Sequence, residues 1–383
     1  MRIFIIHNFY QHAGGEDMVF RQEVQELKRH HTVETLTFRN KKGWRGLWQF
    51  LAYPWNLSAQ RKVKKQLQHF NPDIVHIHNF HYASGPALIR TIKKRRIPVV
   101  MTLHNFRMLC PSATLFFRDR LYLDSIGTNF PWKAVRLKVL ENSFVKTFGT
   151  AFTYFSHRKL GTFQLVDRFL TLSAFSRQLF LSADLPFFSA DSILVKPNFV
   201  EVETKTQERE DYYLFVGRLS AEKGIMQLVN TLKGSDKVLK IVGDGPLMAE
   251  VRNSIQGVRN IELLGQKGKE ETMQLLAKCK ALLVPSVCYE GGVPLTIIEG
   301  IATQTPIIST NIGAIPGLII PNQTGWLFDP YKRESILSAI TEFENSDKKD
   351  DIVKNAHAVY RSTFTKDIVM QQLEEVYQKV IAK

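Results

Sequence analysis

The sequence predicts an α/β protein with two doubly wound parallel sheets, one in each half of its 383 residues. The chain is longer than a single hydrophobic core usually supports, which favours two domains. Apolar runs of strand length alternate with helical patterns in both halves, as parallel sheets require. A polar and charged stretch at residues 201–211 separates the halves and is the predicted linker. With 44% hydrophobic and 23% charged residues, the chain is globular rather than disordered.

The first half, residues 1–200, begins with a strand, a glycine loop and a helix. Glu16 and Asp17 suit the first turn of that helix, and Phe20, Val24 and Leu27 have helical spacing. The remaining pattern alternates in the same way. Predicted strands cover residues 2–6, 73–77 and 98–103, and a predicted helix covers residues 86–96.

The second half, residues 201–366, repeats this order of strand, loop and helix. A final helix at 367–382 has an apolar face, and we expect it to pack back on the first domain. In doubly wound sheets ligands bind outside the carboxyl ends of the strands, so a ligand shared by both domains is expected in the cleft between them. The predicted strands cover residues 212–216, 238–242, 260–264, 281–284 and 306–309.

The positive charge of the chain lies in the first half. Residues 1–200 contain 29 Lys+Arg and 12 Asp+Glu, a balance of +17, whereas the remainder contains 22 and 24, a balance of −2. Such a field attracts nucleic acid or an anionic leaflet. Four of the five tryptophans lie in this half, and the segments 41–55 and 132–160 mix them with basic residues as interfacial segments do. We therefore expect association with an anionic membrane surface rather than with nucleic acid, although a core of aromatics under a solvated basic face also fits.

The cysteines and the N-terminus set the expected compartment. Cys110, Cys279 and Cys288 form no paired framework and no metal-ligand spacing, which favours a reducing cytoplasm. The apolar run at the N-terminus is too short for a signal peptide, and no apolar run is long enough for a spanning helix. The expected location is cytoplasmic, peripheral at the inner face of the membrane.

The stretch from residue 284 to 300 is the most informative part of the second half. An apolar strand ends in a loop with Glu290 and two glycines, and Pro294 then begins a helix that carries Glu299. A glycine loop before a helix N-terminus can bind phosphate through free backbone N–H groups. Carboxylates would repel a phosphate, so the two glutamates fit only if they accept hydrogen bonds from sugar hydroxyls beside it. Taken alone, they are more simply read as solvated charges.

Two further turns follow strands of the second half. The loop 216–224 carries Arg218 and Lys223, two cations that could neutralise a diphosphate leaving group without a metal. The turn 241–247 contains Gly243 and Gly245 but lacks the third glycine of a dinucleotide fingerprint. No phosphate-binding loop of the G-x-x-x-x-G-K-[ST] type occurs in the sequence.

Together these motifs resemble the retaining glycosyltransferases of family 4, which have the GT-B fold. In the second half the resemblance rests on G-R-L-S-x-E-K-G, V-G-D-G-P-L, I-E-L-L-G, and P-S-x-x-Y-E-G followed by E-G. In the first half it rests on the loop at 14–16, on D-I-V-H-I-H-N and T-L-H-N-F, and on segments at 172–177 and 195–200. Each piece is weak, but the set covers nearly the whole chain.

The resemblance implies a hexosyltransferase that uses a nucleotide-sugar donor, favoured to be a UDP-sugar, with no cofactor and no metal. Glu299 would hold the ribose hydroxyls, Glu290 the donor sugar, and Arg218 and Lys223 the diphosphate. His104 would lie across the cleft near the reacting centre, although a core position remains open for it; His76, His78 and His81 are interpreted as core histidines. The implied catalytic residues are His104 and Glu290, and the implied donor-binding residues are Gly15, Arg218, Lys223, Gly245, Glu290, Gly291, Gly292, Val293, Pro294, Leu295 and Glu299.

The loop between the two glutamates departs from the family pattern. Eight residues separate Glu290 and Glu299, one more than is usual in the family. Either a bulged loop keeps Glu290 in its role or a backbone group replaces it, and we favour the bulge because Tyr289-Glu290-Gly291 keeps the expected local sequence.

The predicted function is retaining glycosyl transfer to a lipid-linked or polysaccharide-precursor acceptor in cell-surface glycan synthesis. One alternative is a nucleotide-sugar epimerase or phosphorylase of the same fold, for which the sequence offers no motif. A minor alternative is a nucleic-acid-binding or scaffold protein that uses the basic half. The donor, the acceptor and the oligomeric state cannot be read from the sequence.

Overall fold

The computed structural model describes residues 1–10, 14–202 and 207–383. Residues 203–206, part of the predicted linker, lie outside the described residues, as do residues 11–13 before the first helix. The chain divides into two compact units. Unit 1 comprises Met1–Leu115, Tyr122–Asn198 and Val369–Lys383, and unit 2 comprises Phe116–Leu121 and Phe199–Ile368. Each unit contains one six-stranded parallel sheet, so the predicted α/β fold with two doubly wound sheets is confirmed.

The sheet of unit 1 has the strand order β2-β1-β3-β4-β7-β8. Its central strands are apolar and buried, as strands covered on both faces must be. The strands of this unit are β1 (Arg2–Phe9), β2 (Thr32–Arg39), β3 (Ile74–Ile77), β4 (Val99–Leu103), β7 (Arg168–Thr171) and β8 (Ile193–Val195). Its helices are α1 (Gly15–His30), α2 (Gly43–Ala52), α3 (Leu57–Phe70), α4 (Ala87–Lys93), α5 (Trp132–Leu137), α6 (Phe144–Lys159) and α7 (Ala174–Ser182).

The sheet of unit 2 has the order β11-β10-β9-β12-β13-β14. A short antiparallel hairpin, β5 (Phe116–Phe117) and β6 (Arg120–Leu121), also belongs to this unit. The sheet strands are β9 (Tyr213–Val216), β10 (Leu239–Val242), β11 (Ile261–Gly265), β12 (Ala281–Val284), β13 (Ile307–Thr310) and β14 (Trp326–Phe328). The helices are α8 (Ile225–Leu232), α9 (Met248–Ser254), α10 (Lys269–Lys278), α11 (Leu295–Ala302), α12 (Arg333–Asn345) and α13 (Lys349–Thr363).

The last helix, α14 (Lys366–Ile381), contributes most of its length to unit 1. Val369, Leu373, Tyr377 and Val380 are buried along one face. The Tyr377 hydroxyl lies 2.6 Å from His76 Nδ1 on β3, a contact across 301 residues of chain.

The predicted strands omit β2, β7, β8 and β14 of the two sheets, and the buried face of α1 differs from the predicted one. Edge strand β2 was not predicted, because its sequence T-V-E-T-L-T-F-R is half polar and its burial alternates or is partial. On α1 the buried face carries Phe20, Glu23 and Leu27, whereas Val24 is only partly buried. A carboxylate therefore occupies a position where the spacing predicted an apolar residue.

Within the part of the chain that the structure describes, no helix combines the length and apolar character needed to cross a membrane.

Candidate functional site

The predicted donor residues lie at the point where the order of strands in unit 2 changes direction. From β9 the chain runs outward to β10 and β11, and it then returns to β12 on the other side of β9. In doubly wound sheets this reversal opens a crevice at the carboxyl ends of the two central strands. The loop after β9 carries Arg218 and Lys223, and the loop after β12 carries Glu290. The topology therefore places the two motifs beside each other.

Lys223 and Glu290 form an ion pair in this crevice. Lys223 Nζ lies 2.6 Å from Glu290 Oε1, and Ser286 Oγ donates to the same oxygen at 3.0 Å. Desolvation alone would lower the pKa of Lys223, but the charge of Glu290 and their hydrogen bond raise it above the ordinary value. The lysine is thus fully charged at neutral pH, and Glu290 is oriented by two donors.

Close backbone approaches hold these loops together. Gly224 has φ +68°, and a Cβ there would lie 2.0 Å from the Pro285 carbonyl oxygen. Gly243 has φ +145°, and its Cβ would lie 1.8 Å from the Gly217 oxygen. The predicted residue Gly245 also lies close to the loop after β9, since a Cβ there would lie 2.4 Å from the Leu219 carbonyl oxygen. Only glycine permits this packing.

Glu299 lies on α11, and its carboxylate is largely desolvated. Pro294 precedes this helix as its N-cap and Leu295 is its first residue, while residues 291–293 form the connecting loop. The Glu299 carboxylate makes no hydrogen bond or ion pair with the described residues, and burial raises its pKa to about 7 despite the attraction of Lys269. A partly buried carboxylate to which no described residue donates is suited, in its ionised form, to accept hydrogen bonds from a ligand.

Two of the residues predicted to bind the sugar donor take no part in the contacts between these loops. The Arg218 side chain is exposed and makes no ion pair with the described residues. Gly15 is exposed at the start of α1 in unit 1. The geometry of Arg218 suits a cation that is free to approach a ligand, whereas Lys223 must share its charge with Glu290.

In unit 1, His104 follows β4 and belongs to a row of histidine side chains. Its Nε2 lies 3.1 Å from His78 Nδ1, and the two rings are stacked. His78 Nε2 lies 3.4 Å from Glu23 Oε2, which favours a proton on that nitrogen and leaves Nδ1 to accept from His104. Desolvation, with the nearby His78, lowers the pKa of His104 well below its ordinary value, so the ring is neutral at pH 7. Its other nitrogen makes no hydrogen bond to the described residues.

The row of histidines ends at a buried ion pair that was not predicted from the sequence. Glu23 on α1 pairs with Lys196, and both side chains are almost fully buried. Burial alone would raise the pKa of Glu23, but the Lys196 ammonium holds it well below its ordinary range. The signal was present in the sequence: Glu23 stands three residues after Phe20 and four before Leu27, on the apolar face of a helix, where an unpaired charge is not tolerated.

His76 and His78 come close enough to Glu23 to suggest a metal site, but the chemistry does not fit. One oxygen or nitrogen from each of the three lies within 4.8 Å of the others. Both nitrogens of His76 already face hydroxyl groups, Tyr377 at 2.6 Å and Thr102 at 2.8 Å. The Lys196 ammonium on Glu23 would also repel a cation. The prediction that His76, His78 and His81 are buried histidines agrees with their exposed fractions of 0%, 2% and 2%.

Glu16 is a further carboxylate at the carboxyl edge of this sheet. Asn79 Nδ2 donates to its Oε1 at 2.6 Å, and Asn105 Nδ2 lies 3.4 Å from its Oε2. Burial raises the pKa of Glu16 to about 7, only partly offset by the asparagine and by Arg107. A carboxyl group that titrates near neutrality and contacts Asn105, the residue after His104, could move a proton.

Two family models match the chain. Residues 13–204 match the model described as Glycosyltransferase Family 4, which spans half of the chain, and residues 199–359 match Glycosyl transferases group 1. The chain belongs to glycosyltransferase family 4. The resemblance predicted from the motifs is thereby confirmed.

Curated relatives of this family 4 chain carry glycosyltransferase names. The putative teichuronic acid biosynthesis glycosyltransferase TuaC of Bacillus subtilis is 25% identical over 335 residues, which cover 84% of this chain and 74% of that protein. The D-rhamnosyltransferase WbpZ of Pseudomonas aeruginosa is 32% identical over 158 residues, or 40% of this chain and 42% of the relative. The uncharacterized glycosyltransferase MJ1178 of Methanocaldococcus jannaschii is 26% identical over 172 residues, 44% and 48% of the two chains. For the latter two, the match spans less than half of the relative's length.

Solved structures share the architecture of this family 4 chain. The HepE protein of Anabaena, crystallised with UDP and glucose, superposes with a TM-score of 0.69 at 16% identity, covering 98% of this chain and 99% of that one. A glycosyltransferase from Rickettsia africae gives 0.70 at 16% identity, covering 99% of each chain. The predicted GT-B fold is therefore confirmed at the level of topology.

Proposed function

We propose that this protein is a retaining glycosyltransferase that moves a sugar from a nucleotide-sugar, favoured to be a UDP-sugar, to a lipid-linked or polysaccharide-precursor acceptor in cell-surface glycan synthesis. The observation that carries the proposal is the crevice of unit 2. There one paired cation, one exposed cation and a desolvated carboxylate, to which no described residue donates, follow the central strands. Family membership and relatives named for polysaccharide synthesis support it.

Each part of the nucleotide-sugar donor is proposed to contact different residues. Glu299 accepts hydrogen bonds from the ribose hydroxyls, and Glu290, held by Lys223 and Ser286, accepts them from the donor sugar. Lys223 and Arg218 face the diphosphate and stabilise the negative charge that develops on it, so no metal is required. Backbone N–H groups of the loop before α11 complete the phosphate contacts.

In the proposed reaction the bond between the anomeric carbon and the diphosphate oxygen breaks, and the electron pair leaves with the nucleoside diphosphate. The acceptor hydroxyl attacks from the same face, which gives retention, and its proton passes to the departing phosphate oxygen. His104, neutral at pH 7, is proposed to accept a hydrogen bond from a sugar hydroxyl through its free nitrogen.

The first test is thermal unfolding with a panel of UDP-, GDP- and ADP-sugars. A ligand at a hundred times its dissociation constant stabilises the folded state by about 2.7 kcal/mol, which raises the unfolding temperature measurably. We expect the UDP-sugars to give the largest rise. No rise with any nucleotide-sugar, or donor turnover that needs no acceptor, would contradict the proposed transfer.

We also propose that unit 1 docks on an anionic phospholipid leaflet. Helix α2 has no buried residue, and its apolar side chains face solvent: Trp44 is 69% exposed, Trp48 66%, Leu47 55% and Leu51 58%. Their spacing of three, four and seven residues puts them on one face, with Lys41, Lys42 and Arg45 at the start of the helix.

Helices α5 and α6 extend this exposed area. Trp132 is 56% exposed and Phe144 51%, and the rings of Trp132 and Phe148 lie 6.3 Å apart. Phe50 on α2 packs on Gly149 of α6, where a Cβ would lie 2.4 Å from its ring. The exposed apolar residues of α2, α5 and α6, which we call the aromatic surface, are therefore adjacent, and an exposed patch of this kind marks an interaction site.

Co-sedimentation with vesicles tests the docking. The protein should bind vesicles that contain phosphatidylglycerol more strongly than vesicles of phosphatidylcholine alone. The double variant Trp44→Ser/Trp48→Ser should lose most of this binding, whereas Leu337→Ser, on the exposed face of α12, should not. Equal binding to both vesicle types, or no effect of the double variant, would refute the docking.

A further inference from the structure

A small cavity lies at the carboxyl edge of the unit 1 sheet and is lined mainly by polar side chains. Its volume is about 30 Å³. That is room for about two water molecules or for one small ion, and it is too little for a sugar ring or a phosphate group. Tyr10, His81 and Arg107, which follow β1, β3 and β4, are among the residues that line it.

Each of these three side chains has a buried polar atom that makes no hydrogen bond to the described residues. The atoms are the Tyr10 hydroxyl oxygen, His81 Nε2 and Arg107 Nε. The ring centroids of Tyr10 and His81 lie 6.4 Å apart, and Arg107 is near enough for its charge to act on both side chains. Burying a polar atom without a partner costs free energy, so the three atoms indicate a bound species that the chain itself does not supply.

All three atoms are able to donate a hydrogen bond into the cavity. The Nε–H group of Arg107 is only a donor, and the Tyr10 hydroxyl carries one proton. His81 is neutral, because burial lowers its pKa well below the ordinary value. Its Nδ1 lies 2.8 Å from the Tyr53 hydroxyl, and when that hydroxyl donates to Nδ1 the ring proton is on Nε2. A set of donors without an acceptor favours an anion.

The charge of Arg107 favours an anion as well. Its Nη1 donates to the Pro111 carbonyl oxygen at 3.1 Å, and no carboxylate of the described residues forms an ion pair with it. The oxygens of Glu16 instead face Asn79 and Asn105, at 2.6 and 3.4 Å. Because burial raises the pKa of Glu16 to about 7, a large share of these carboxyl groups is uncharged at neutral pH. Arginine stays charged, so it lacks a full counter-charge.

We propose that this cavity binds one small monovalent anion of the size of chloride, held by the Arg107 guanidinium, the Tyr10 hydroxyl and His81 Nε2. A water molecule fills the same volume but leaves the guanidinium without a counter-charge. The backbone N–H of Arg107 donates to Asn105 Oδ1 at 3.1 Å, so the anion stabilises the segment that follows His104. The site lies within unit 1, and its occupancy does not depend on the function proposed for the crevice of unit 2.

Bromide, which scatters X-rays anomalously, locates the anion directly. Crystals of the full chain grown without halide and soaked in sodium bromide should show a bromine peak within hydrogen-bonding distance of the three atoms. A cavity that holds water in the presence of bromide would overturn the proposal.

Thermal unfolding in sodium chloride measures the affinity, with sodium gluconate keeping the ionic strength constant. The unfolding temperature should rise saturably, by about 3 °C at ten times the dissociation constant. Arg107→Gln should abolish this rise, and Tyr10→Phe, which keeps the ring, should weaken chloride roughly tenfold. The exposed control Arg95→Gln should leave the response unchanged.

Three outcomes of the unfolding experiment would overturn the site. An unchanged chloride response in Arg107→Gln, or in Tyr10→Phe if the arginine variant does not fold, would exclude these side chains as the ligands. A bromide peak without a saturable response in the wild type would mark an adventitious ion only. A response to sodium phosphate that Arg107→Gln abolishes would show that a larger oxyanion binds, against the size of the cavity.

The pH dependence separates an anion from water. The charged and titratable groups that act on Glu16 are Asp17 on α1, Tyr10 after β1, Arg107 after β4 and Tyr154 on α6. Burial raises the pKa of both tyrosines, so Glu16 is the member of this group that titrates near pH 7. Its ionisation adds negative charge near the cavity, and chloride affinity should fall roughly threefold or more from pH 6 to pH 8.

Glu16→Gln tests the origin of that dependence. The variant should bind chloride with the same affinity at pH 6 and pH 8, because it lacks the carboxyl group that titrates. A wild-type affinity that is constant or rises with pH would overturn the assignment of an anion to this cavity.

Discussion

Glu299→Gln should weaken nucleotide binding and at the same time stabilise the empty protein. The substitution keeps the shape of the side chain but removes a charge that is desolvated in the folded protein and receives no hydrogen bond from the described residues. A ligand that donates ribose hydroxyls would relieve this cost, so the two effects have one origin.

The size of both effects follows from the pKa. A carboxyl group whose pKa rises from 4.5 to about 7 on folding destabilises the folded state by about 3 kcal/mol above pH 7, at 1.36 kcal/mol for each pH unit. Glu299 is partly exposed and solvent screening reduces this figure, so we expect about 1–2 kcal/mol in the variant. Loss of a hydrogen bond to a charged acceptor costs about 1.5–3 kcal/mol, which weakens UDP roughly 10- to 150-fold.

The sign of the pH dependence separates this explanation from a general packing effect. Between pH 4.5 and about 7 the folded state binds more protons than the unfolded state, so the free energy of unfolding falls as the pH rises. The variant lacks this contribution, and its advantage should be absent near pH 4.5 and complete above pH 7. UDP affinity of the wild type should rise through pH 7 more steeply than that of the variant.

Urea unfolding at pH 5 and pH 8, together with calorimetric titration of UDP, measures both effects. Glu334→Gln, an exposed glutamate on α12, is the matched control and should change neither quantity. UDP affinity within threefold of the wild type would refute the role of Glu299 as the ribose acceptor. A variant that is less stable at pH 8 would refute the desolvation argument.

Three further predictions concern the rest of the protein. Glu23→Gln should cost about 3–5 kcal/mol in urea unfolding because it leaves Lys196 buried without a counter-charge, whereas a loss below 1 kcal/mol would show that the pair is not desolvated. Gly243→Ala should lower the unfolding temperature and weaken UDP, because its Cβ would lie 1.8 Å from the Gly217 oxygen; a fully stable variant with normal affinity would contradict that packing. In a glycosyl-transfer assay, a chelator should leave activity within twofold of the untreated enzyme, and full loss restored by magnesium would argue against charge neutralisation by Arg218 and Lys223.

Much of the fold followed from local pattern. Five of the six sheet strands of the second half were predicted within one residue at each end, because apolar runs bounded by glycine turns are unambiguous where both faces of a sheet are covered, whereas β14 was not predicted. Strand β2 was missed because an edge strand carries polar side chains that match no buried pattern.

The candidate site could be predicted from the sequence only in part. Glu290, Glu299 and Lys223 follow strands in recognisable loops, so their type and spacing could be interpreted from the sequence alone. The partners of Lys223, and the lack of a donor to Glu299 among the described residues, could not be predicted, because they depend on which loops the sheet order brings together.

By itself the sequence determined the family, the strands and the loops that follow them. Periodicity and turn chemistry depend on residues only a few positions apart, so both can be recognised in the sequence. Only the tertiary structure decided the electrostatics: Lys223 meets Glu290 across 67 residues, Lys196 meets Glu23 across 173, and Arg107 meets no described carboxylate. The chemistry of a side chain determines whether it can carry a charge. The contribution of that charge to the free energy of folding depends on the neighbouring groups and on the water that remains around it in the folded protein.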